Sequence, residues 1–384
     1  MGKAARKRER STPPPQVRQR RGIDFRVVGI VVLVLGAGGF AASRLTGLTK
    51  PVLDTAHHVQ AHTQEDYPAP EFTGIGTWIN SRPLTVTSLR GHVTLVDFWT
   101  YSCVNCIRTL PYLRSFYSQY HTLGFDIVGV HTPEFSFEKD PSNVRAAVKE
   151  HQVVWPVAMD NEMGTWNAYG NQYWPHVYLL DAQGHVRYDF IGEGNDVAIQ
   201  SAIRTLLAAP GVTVPSAAPL PAQNLSGDMT PEIYLGYQRG EYAQTLANPE
   251  GYAHDRPVTY AEPSAQAVRT AGSGGVFWLS GRWQASLEHV TPLGPGGEII
   301  LNFSATDAYI VAGPAAGGAP GVLAAQLDGH PIPPAEQGEA LHGGHLTLGF
   351  RDLYHLVHLP SPGEHVLTLT VSNPNVAVYT FTFG

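Results

Sequence analysis

The chain has 384 residues, 43% of them hydrophobic, and a formal net charge of -7, a composition that fits globular protein and excludes global disorder. The charge is uneven: nine Lys and Arg stand in the first 26 residues, leaving 16 basic and 30 acidic residues in the other 358. An acidic body excludes nucleic acid as the partner, because phosphate binding requires a basic face, and two cysteines are too few for a disulfide framework.

Residues 1–26, basic and carrying Pro13-Pro14-Pro15, read as a disordered cytoplasmic tail. Residues 27–48 read as a single transmembrane anchor. Val27 to Ser43 is a run of 17 uncharged residues, and at about 1.5 Å per residue it nearly spans a hydrocarbon layer of roughly 30 Å. Leu45 to Leu48 extend it if Arg44 snorkels. The basic residues ahead of it put the N-terminus in the cytoplasm and the body outside, in the periplasm or cell envelope. A signal peptide cleaved after Ala41-Ala42-Ser43 is the alternative, and it leaves the body on the same side.

Residues 49–71 read as a spacer, and 72–207 as an α/β domain in which strand and helix signals alternate. Strands are expected at Val93 to Phe98 and Phe125 to Val130. A helix follows from Cys106 to Tyr120, with Leu110, Leu113 and Phe116 at helical spacing. Further helices are expected from a Ser142 cap to His151, over Glu162 to Tyr169, and from an Asp196 cap through Ile199, Ile203 and Leu207. Strands Val177 to Leu180 and Val186 to Ile191 flank the turn Asp181 to Gly184. Residues 208–229, rich in proline, read as a stiff linker. Thr230 to Gly236 is expected to pack between domains. Residues 230–384 show short strands between Gly/Pro clusters and no convincing helix, the pattern of an antiparallel β-sandwich.

The chemistry concentrates at Cys103 and Cys106, a C-x-x-C pair after a strand and at a helix entrance. A thiol reacts as its thiolate, which the unpaired N–H groups of a helix entrance favour, so Cys103 is the expected attacking group. Cys106, one turn deeper, resolves the mixed disulfide. Asp97, an acid inside an apolar strand, is the expected base for it. Trp174-Pro175 precedes a strand. A cis bond there would offer the Trp174 backbone to a substrate strand, whereas a trans turn is the commoner state of an isolated X-Pro. Trp99, Trp174 and Pro175 are the expected substrate-binding residues, and no cofactor beyond the Cys103–Cys106 disulfide is needed.

Val96-Asp97-Phe98-Trp99, the C-x-x-C six residues after Asp97, and Pro111 eight residues after Cys103 resemble the thioredoxin superfamily. The resemblance implies a buried acid at Asp97, a helix bent at Pro111 and a cis bond at Pro175. A wider set of motifs is similar to the extracytoplasmic part of DipZ-type proteins over about residues 70–384: Phe98 to Cys103, Gly129 to Phe135, Phe137 to Asp140, Tyr173 to Pro175, Gly192 to Gly194, Thr230 to Glu232 and Thr380 to Gly384. It implies a thioredoxin-like domain followed by a sandwich resembling carbohydrate-binding modules. In that family a multi-helix membrane domain carries electrons. Here one anchor stands in its place, so a separate membrane electron donor is the expected partner, with protein disulfides as substrates.

Reduction of protein disulfides is the expected activity. A peroxidase is the rival, since Thr100 to Cys103 fits a T-x-x-C motif, but that motif wants a proline where Val96 stands. In a third reading the sandwich binds a glycan or a partner protein through Trp278, Trp283, Tyr309 or Tyr354. No metal site is expected, because His342-x-x-His345 and His355-x-x-His358 lack carboxylate or thiolate companions at helical spacing.

Overall fold

The structure, a computed structural model, describes residues 66–211, 213–216, 220 and 229–384. The expected tail, the anchor, most of the spacer and most of the linker lie outside the described residues. Among the described residues no helix is long and apolar enough to cross a membrane.

The first domain runs β1 (Tyr67–Pro68), β2 (Thr77–Ile79), β3 (Val93–Trp99), α1 (Val104–Tyr120), β4 (Phe125–His131), α2 (Pro141–Glu150), β5 (Val157–Met159), α3 (Gly164–Ala168), β6 (His176–Leu180), β7 (His185–Ile191) and α4 (Asp196–Ala208). Its sheet has the order β1-β7-β6-β3-β4-β5-β2. β3 lies at the centre, parallel to β4 and antiparallel to β6. Every residue of β3 is buried, because helices cover both faces of the sheet. Strand alternation then sorts the side chains: Val93, Leu95 and Trp99 pack with α1, α2 and α4, and Val96 and Phe98 pack on the opposite face with Trp166 and Tyr169. This is the thioredoxin-like α/β domain expected from the motifs.

Local details differ from expectation where caps compete. Asp140, not Ser142, caps α2, its Oδ1 accepting from Ser142 N at 2.8 Å. Asp196 is the first residue of α4, and Asn195 holds the cap position. The edge strands β1 and β2 and their short neighbour β5 had no alternating pattern long enough to betray them, each having two or three residues.

The second domain comprises β8 (Ile233–Tyr234), α5 (Tyr237–Ala243), β9 (Pro257–Tyr260), α6 (Ala265–Ala271), β10 (Phe277–Ala285), β11 (Val290–Pro292), β12 (Glu298–Gly313), β13 (Gly321–Leu327), β14 (His330–Pro331), β15 (Leu341–His342), β16 (His345–Leu348), β17 (Asp352–Asn373) and β18 (Ala377–Phe383). All eleven named strands that pair here do so antiparallel in one large sheet system. The strands expected to be short include one of 16 residues, β12, in which Glu298 to Phe303 and Ala308 to Val311 run on without a turn. Its first half pairs with β10 and β17, and its second half with β17 and β18. The expectation of no helix fails at α5 and α6, single short helices; Ser264 Oγ caps α6 by accepting from Ala267 N at 3.1 Å.

The two domains share one buried apolar cluster. Val311, Ala377 and Tyr379 of the second pack into the core around α1, α2 and α4 of the first. The Tyr379 ring lies 5.2 Å from Phe135 and 4.9 Å from Phe137. Glu288 accepts from Ser136 Oγ at 2.6 Å and from Ser136 N at 3.1 Å. Thr230 to Gly236 does pack between the domains: β8 pairs with β18, and Tyr234 reaches Glu134.

Tyr379→Ala is therefore expected to cost about 3 kcal/mol, the scale of deleting a buried ring. Urea unfolding of the full chain checks it. A loss under about 1 kcal/mol would show that the rings at this junction collapse around the gap at little cost.

Candidate functional site

The site starts with the parity of β3. Asp97 lies between Leu95 and Trp99 on the α1 side of the strand, which is also the side from which Cys106 packs into the core. Asp97 is 1% exposed, and neither carboxyl oxygen has a hydrogen-bond partner among the described residues. Burial pushes this carboxyl up to about 7. Its partner across the strand pair, Gly129, makes room for the Trp99 and Trp155 rings, since a Cβ there would come within 2.9 Å of Trp99 Nε1.

The turn after β3 delivers Cys103 to the N-cap of α1, with its Sγ accepting from Cys106 N at 3.2 Å. Cys103 is half-buried and Cys106 fully buried, and both thiols are free. Pro111 sits inside α1 as the motif implied, on its exposed face. Burial pushes the Cys106 thiol well up, and the neighbouring Cys103 and Asp97 add to it.

The helix entrance was expected to draw the Cys103 thiol down. Its surroundings do the reverse: burial raises it, hydrogen bonds from Cys106 offset part of this, and Glu134 and Glu232 raise it further. The two carboxylates belong to different domains. Glu134, just after β4, forms an ion pair with Arg239 of α5. Tyr234 Oη lies 2.8 Å from both Glu134 Oε1 and Glu232 Oε2. A phenol has one proton to donate, so both contacts are hydrogen bonds only when one carboxyl carries a proton of its own. Glu232 is the one that holds it, because burial and then the charge of Glu134 push its acid group up.

A third acid supports this wall from below. Glu138 is fully buried, accepts from Ser102 Oγ at 2.6 Å, Glu134 N at 2.6 Å and Phe135 N at 2.9 Å, and is pushed by burial up to about 7. His131 stacks on Tyr101 at 5.7 Å and, driven down by burial to about 3, is neutral. Together these residues frame a cleft of about 410 Å3 lined by Cys103, Asn105, Glu134, Trp174, Glu232 and Arg239.

Of the expected substrate-binding residues, Trp174 lines the cleft, Pro175 follows it as a buried residue, and Trp99 is not part of the lining. The Trp174–Pro175 bond is cis. The Trp174 ring is held by a hydrogen bond from its Nε1 to Thr132 O at 3.0 Å, by Trp166 at 4.1 Å and by the Arg239 guanidinium 5.9 Å away. Trp99 is 1% exposed, edge-on to His131 at 5.4 Å, so its ring supports the site from the core and has no face for a substrate. The aromatics expected to stack on sugars are also engaged. Trp283 and Trp278 are buried, Tyr309 stacks on His355, and Tyr354 donates its hydroxyl to Phe350 O.

Residue types alone did not single out Glu134, Glu232, Tyr234 or Arg239. The first three lie in stretches marked out by motif, Gly129 to Phe135 and Thr230 to Gly236, whereas Arg239 carried no signal.

Residues 64–206 match the Redoxin family, and residues 230–384 match the family described as Thioredoxin like C-terminal domain. Protein DipZ of Mycobacterium tuberculosis and its counterpart in Mycobacterium bovis are each 38% identical over 272 residues, 68% of this chain and 37% of theirs. The chain thus spans little more than a third of the length of these relatives. The thiol-disulfide oxidoreductase YkuV of Bacillus subtilis is 27% identical over 141 residues, 37% of this chain and 95% of its own.

Asp97 sets a pH dependence of folding. Its folded-state value near 7 exceeds the value of about 3.9 in an unfolded chain. Stability is therefore greatest below about pH 4 for this group and is lost as pH rises through about 7. Asp97→Asn is expected to match the parent at pH 4 and to exceed it at pH 8 by up to roughly 4 kcal/mol. Denaturant titrations at the two pH values check it. Equal stability gaps at both would mean that Asp97 ionises normally.

Proposed function

The chain is a thioredoxin-like protein, homologous through its Redoxin and C-terminal domains to the DipZ proteins, and on that premise we propose that it is a thiol-disulfide oxidoreductase that reduces protein disulfides. The observation that carries the reading is the pair of free thiols at the entrance of α1, one open to the cleft and the other buried on the Asp97 side of β3. In this reading the Cys103 thiolate attacks a substrate disulfide. One substrate sulfur bonds to Cys103, and the other leaves as a thiolate and takes up a proton. Cys106, losing its proton to Asp97, then attacks Cys103 Sγ. The Cys103–Cys106 disulfide forms, and the second substrate sulfur leaves reduced.

Asp97 suits the base role because burial holds its carboxyl near 7, where it can both take and release a proton at neutral pH. The reducing direction is supported by the Cys103 surroundings. A strong oxidant stabilises its reduced form, commonly through a readily formed thiolate. Here burial and the Glu134 carboxylate oppose that thiolate, and Glu232 adds its charge only where it ionises, above about pH 8. Trp174, set by the cis bond to Pro175, forms the substrate edge of the cleft, and the second domain supplies its far wall through Glu232, Tyr234 and Arg239. The anchor reading of residues 27–48 makes this a membrane-bound protein with its body outside the cytoplasm, re-reduced by a separate membrane electron donor.

Two experiments test this reading. Cys106→Ser is expected to accumulate mixed disulfides with envelope proteins through Cys103, and Cys103→Ser to accumulate none. The parent chain, supplied with a thiol reductant, is expected to reduce insulin. A parent that leaves insulin oxidised, with no adducts on Cys106→Ser, would sink the proposal.

Glu232→Gln removes one of the acids facing Cys103. It is expected to leave alkylation of Cys103 by iodoacetamide nearly unchanged at pH 7, where Glu232 holds its proton, and to speed it by roughly threefold or more at pH 9, where the parent's acid, pushed up to about 8, is ionised. An unchanged alkylation profile between pH 6 and 9 would remove the second domain from the thiol's electrostatics.

A further inference from the structure

The pair His355-x-x-His358 has a carboxylate companion that the chain order hides. β12 brings Asp307 opposite His358, 51 residues away. His355 Nε2 lies 2.9 Å and His358 Nδ1 2.7 Å from the same oxygen, Asp307 Oδ1. Among the described residues this is a group of three possible metal ligands whose donor atoms all lie within 4.8 Å of one another.

A regular strand would not make this cluster. Residues three apart on a strand point to opposite faces. The pairing of β12 with β17 shifts register here: Asp307 faces His358 and Ala308 faces Val357, but Tyr309 faces His355, so Leu356 is an extra residue on β17. That bulge turns His355 onto the face of His358, while Leu356 and Val357 stay fully buried. The Tyr309 ring, stacked at 4.4 Å and 18°, then holds the His355 imidazole in place. Two imidazoles aimed at one carboxylate oxygen by a bulge and a stacked ring are more organisation than a surface ion pair needs.

We propose that Asp307, His355 and His358 form a divalent transition-metal site, of the class that binds Zn2+. Tetrahedral zinc with bonds of about 2.0 Å sets its ligand atoms about 3.3 Å apart. The present spacings of 2.7 and 2.9 Å open to that by small side-chain rotations. Neutral imidazoles would bind through the nitrogens that now face Asp307, their protons moving to the other ring nitrogen of each. His358, with 59% of its side chain exposed, leaves the fourth position to water. Two nitrogen donors of three disfavour Mg2+ and Ca2+, which take oxygen. The site uses no residue of the thiol cleft and stands or falls independently of the exchange reaction.

The test is isothermal titration of Zn2+ into the full chain carrying Cys103→Ser and Cys106→Ser, which removes the thiols as competing ligands. One ion per chain is expected, with affinity weakened at least tenfold by His358→Ala and by Asp307→Asn, and unchanged by His345→Ala on β16. Co2+ in place of Zn2+ is expected to give visible d–d absorption that His358→Ala abolishes. His358→Ala changes an exposed side chain, and an unchanged metal-free melting curve shows that it folds. Binding that His358→Ala and Asp307→Asn leave intact, or that His345→Ala weakens equally, would overturn the proposal, as would no binding at all.

Discussion

A carboxylate buried where the two domains meet dictates much of this structure. Glu134 ends up beside β8 and α5 with its side chain only 7% exposed, and an unpaired charge there would cost several kcal/mol. Arg239 supplies the opposite charge, and Tyr234 supplies a hydrogen bond. Both partners come from the second domain, so the two domains must hold one relative position for the charge to be tolerated. The apolar part of the junction, Tyr379 against Phe135 and Phe137, supplies the favourable burial that makes this position the stable one.

The same junction shapes the chemistry. A thiol at a helix entrance gains from the local dipole, an effect of about 1 kcal/mol or less when exposed. Here the half-buried Cys103 meets burial and the Glu134 carboxylate, and their sum runs the other way. Below it, Asp97 and Glu138 are both held near neutrality by burial, so protons can move in the site without a histidine. His131 is kept uncharged by burial inside the aromatic stack.

The second domain shows how strand irregularity makes sites. β12 and β17 pair over most of their length, and their register breaks at two places, Ala305/Asp307 and Ala308/Tyr309. Between these breaks Asp307 gathers two histidines. A perfectly regular ladder would have split them between the core and the solvent.

The central elements of the first domain were legible in the amino-acid order because each depends on neighbours in sequence. β3 is a continuous apolar run with one acid, α1 repeats its apolar residues at helical spacing, and C-x-x-C stands between them. Alternation alone puts Asp97 on the side of Cys106. The short edge strands and the true helix caps escaped because two or three residues carry no period and because Asp140, two residues ahead, takes the cap position with Ser142 as its donor. Trp99, expected to bind substrate, is buried on the α1 side of β3 by strand parity. What only tertiary structure decided is the far wall of the cleft and the Asp307 cluster: Glu134 meets Arg239 across 105 residues, and Asp307 meets His358 across 51. Contacts of that separation leave no local period or spacing, since they are set by domain docking and strand register, and these follow from the whole buried surface.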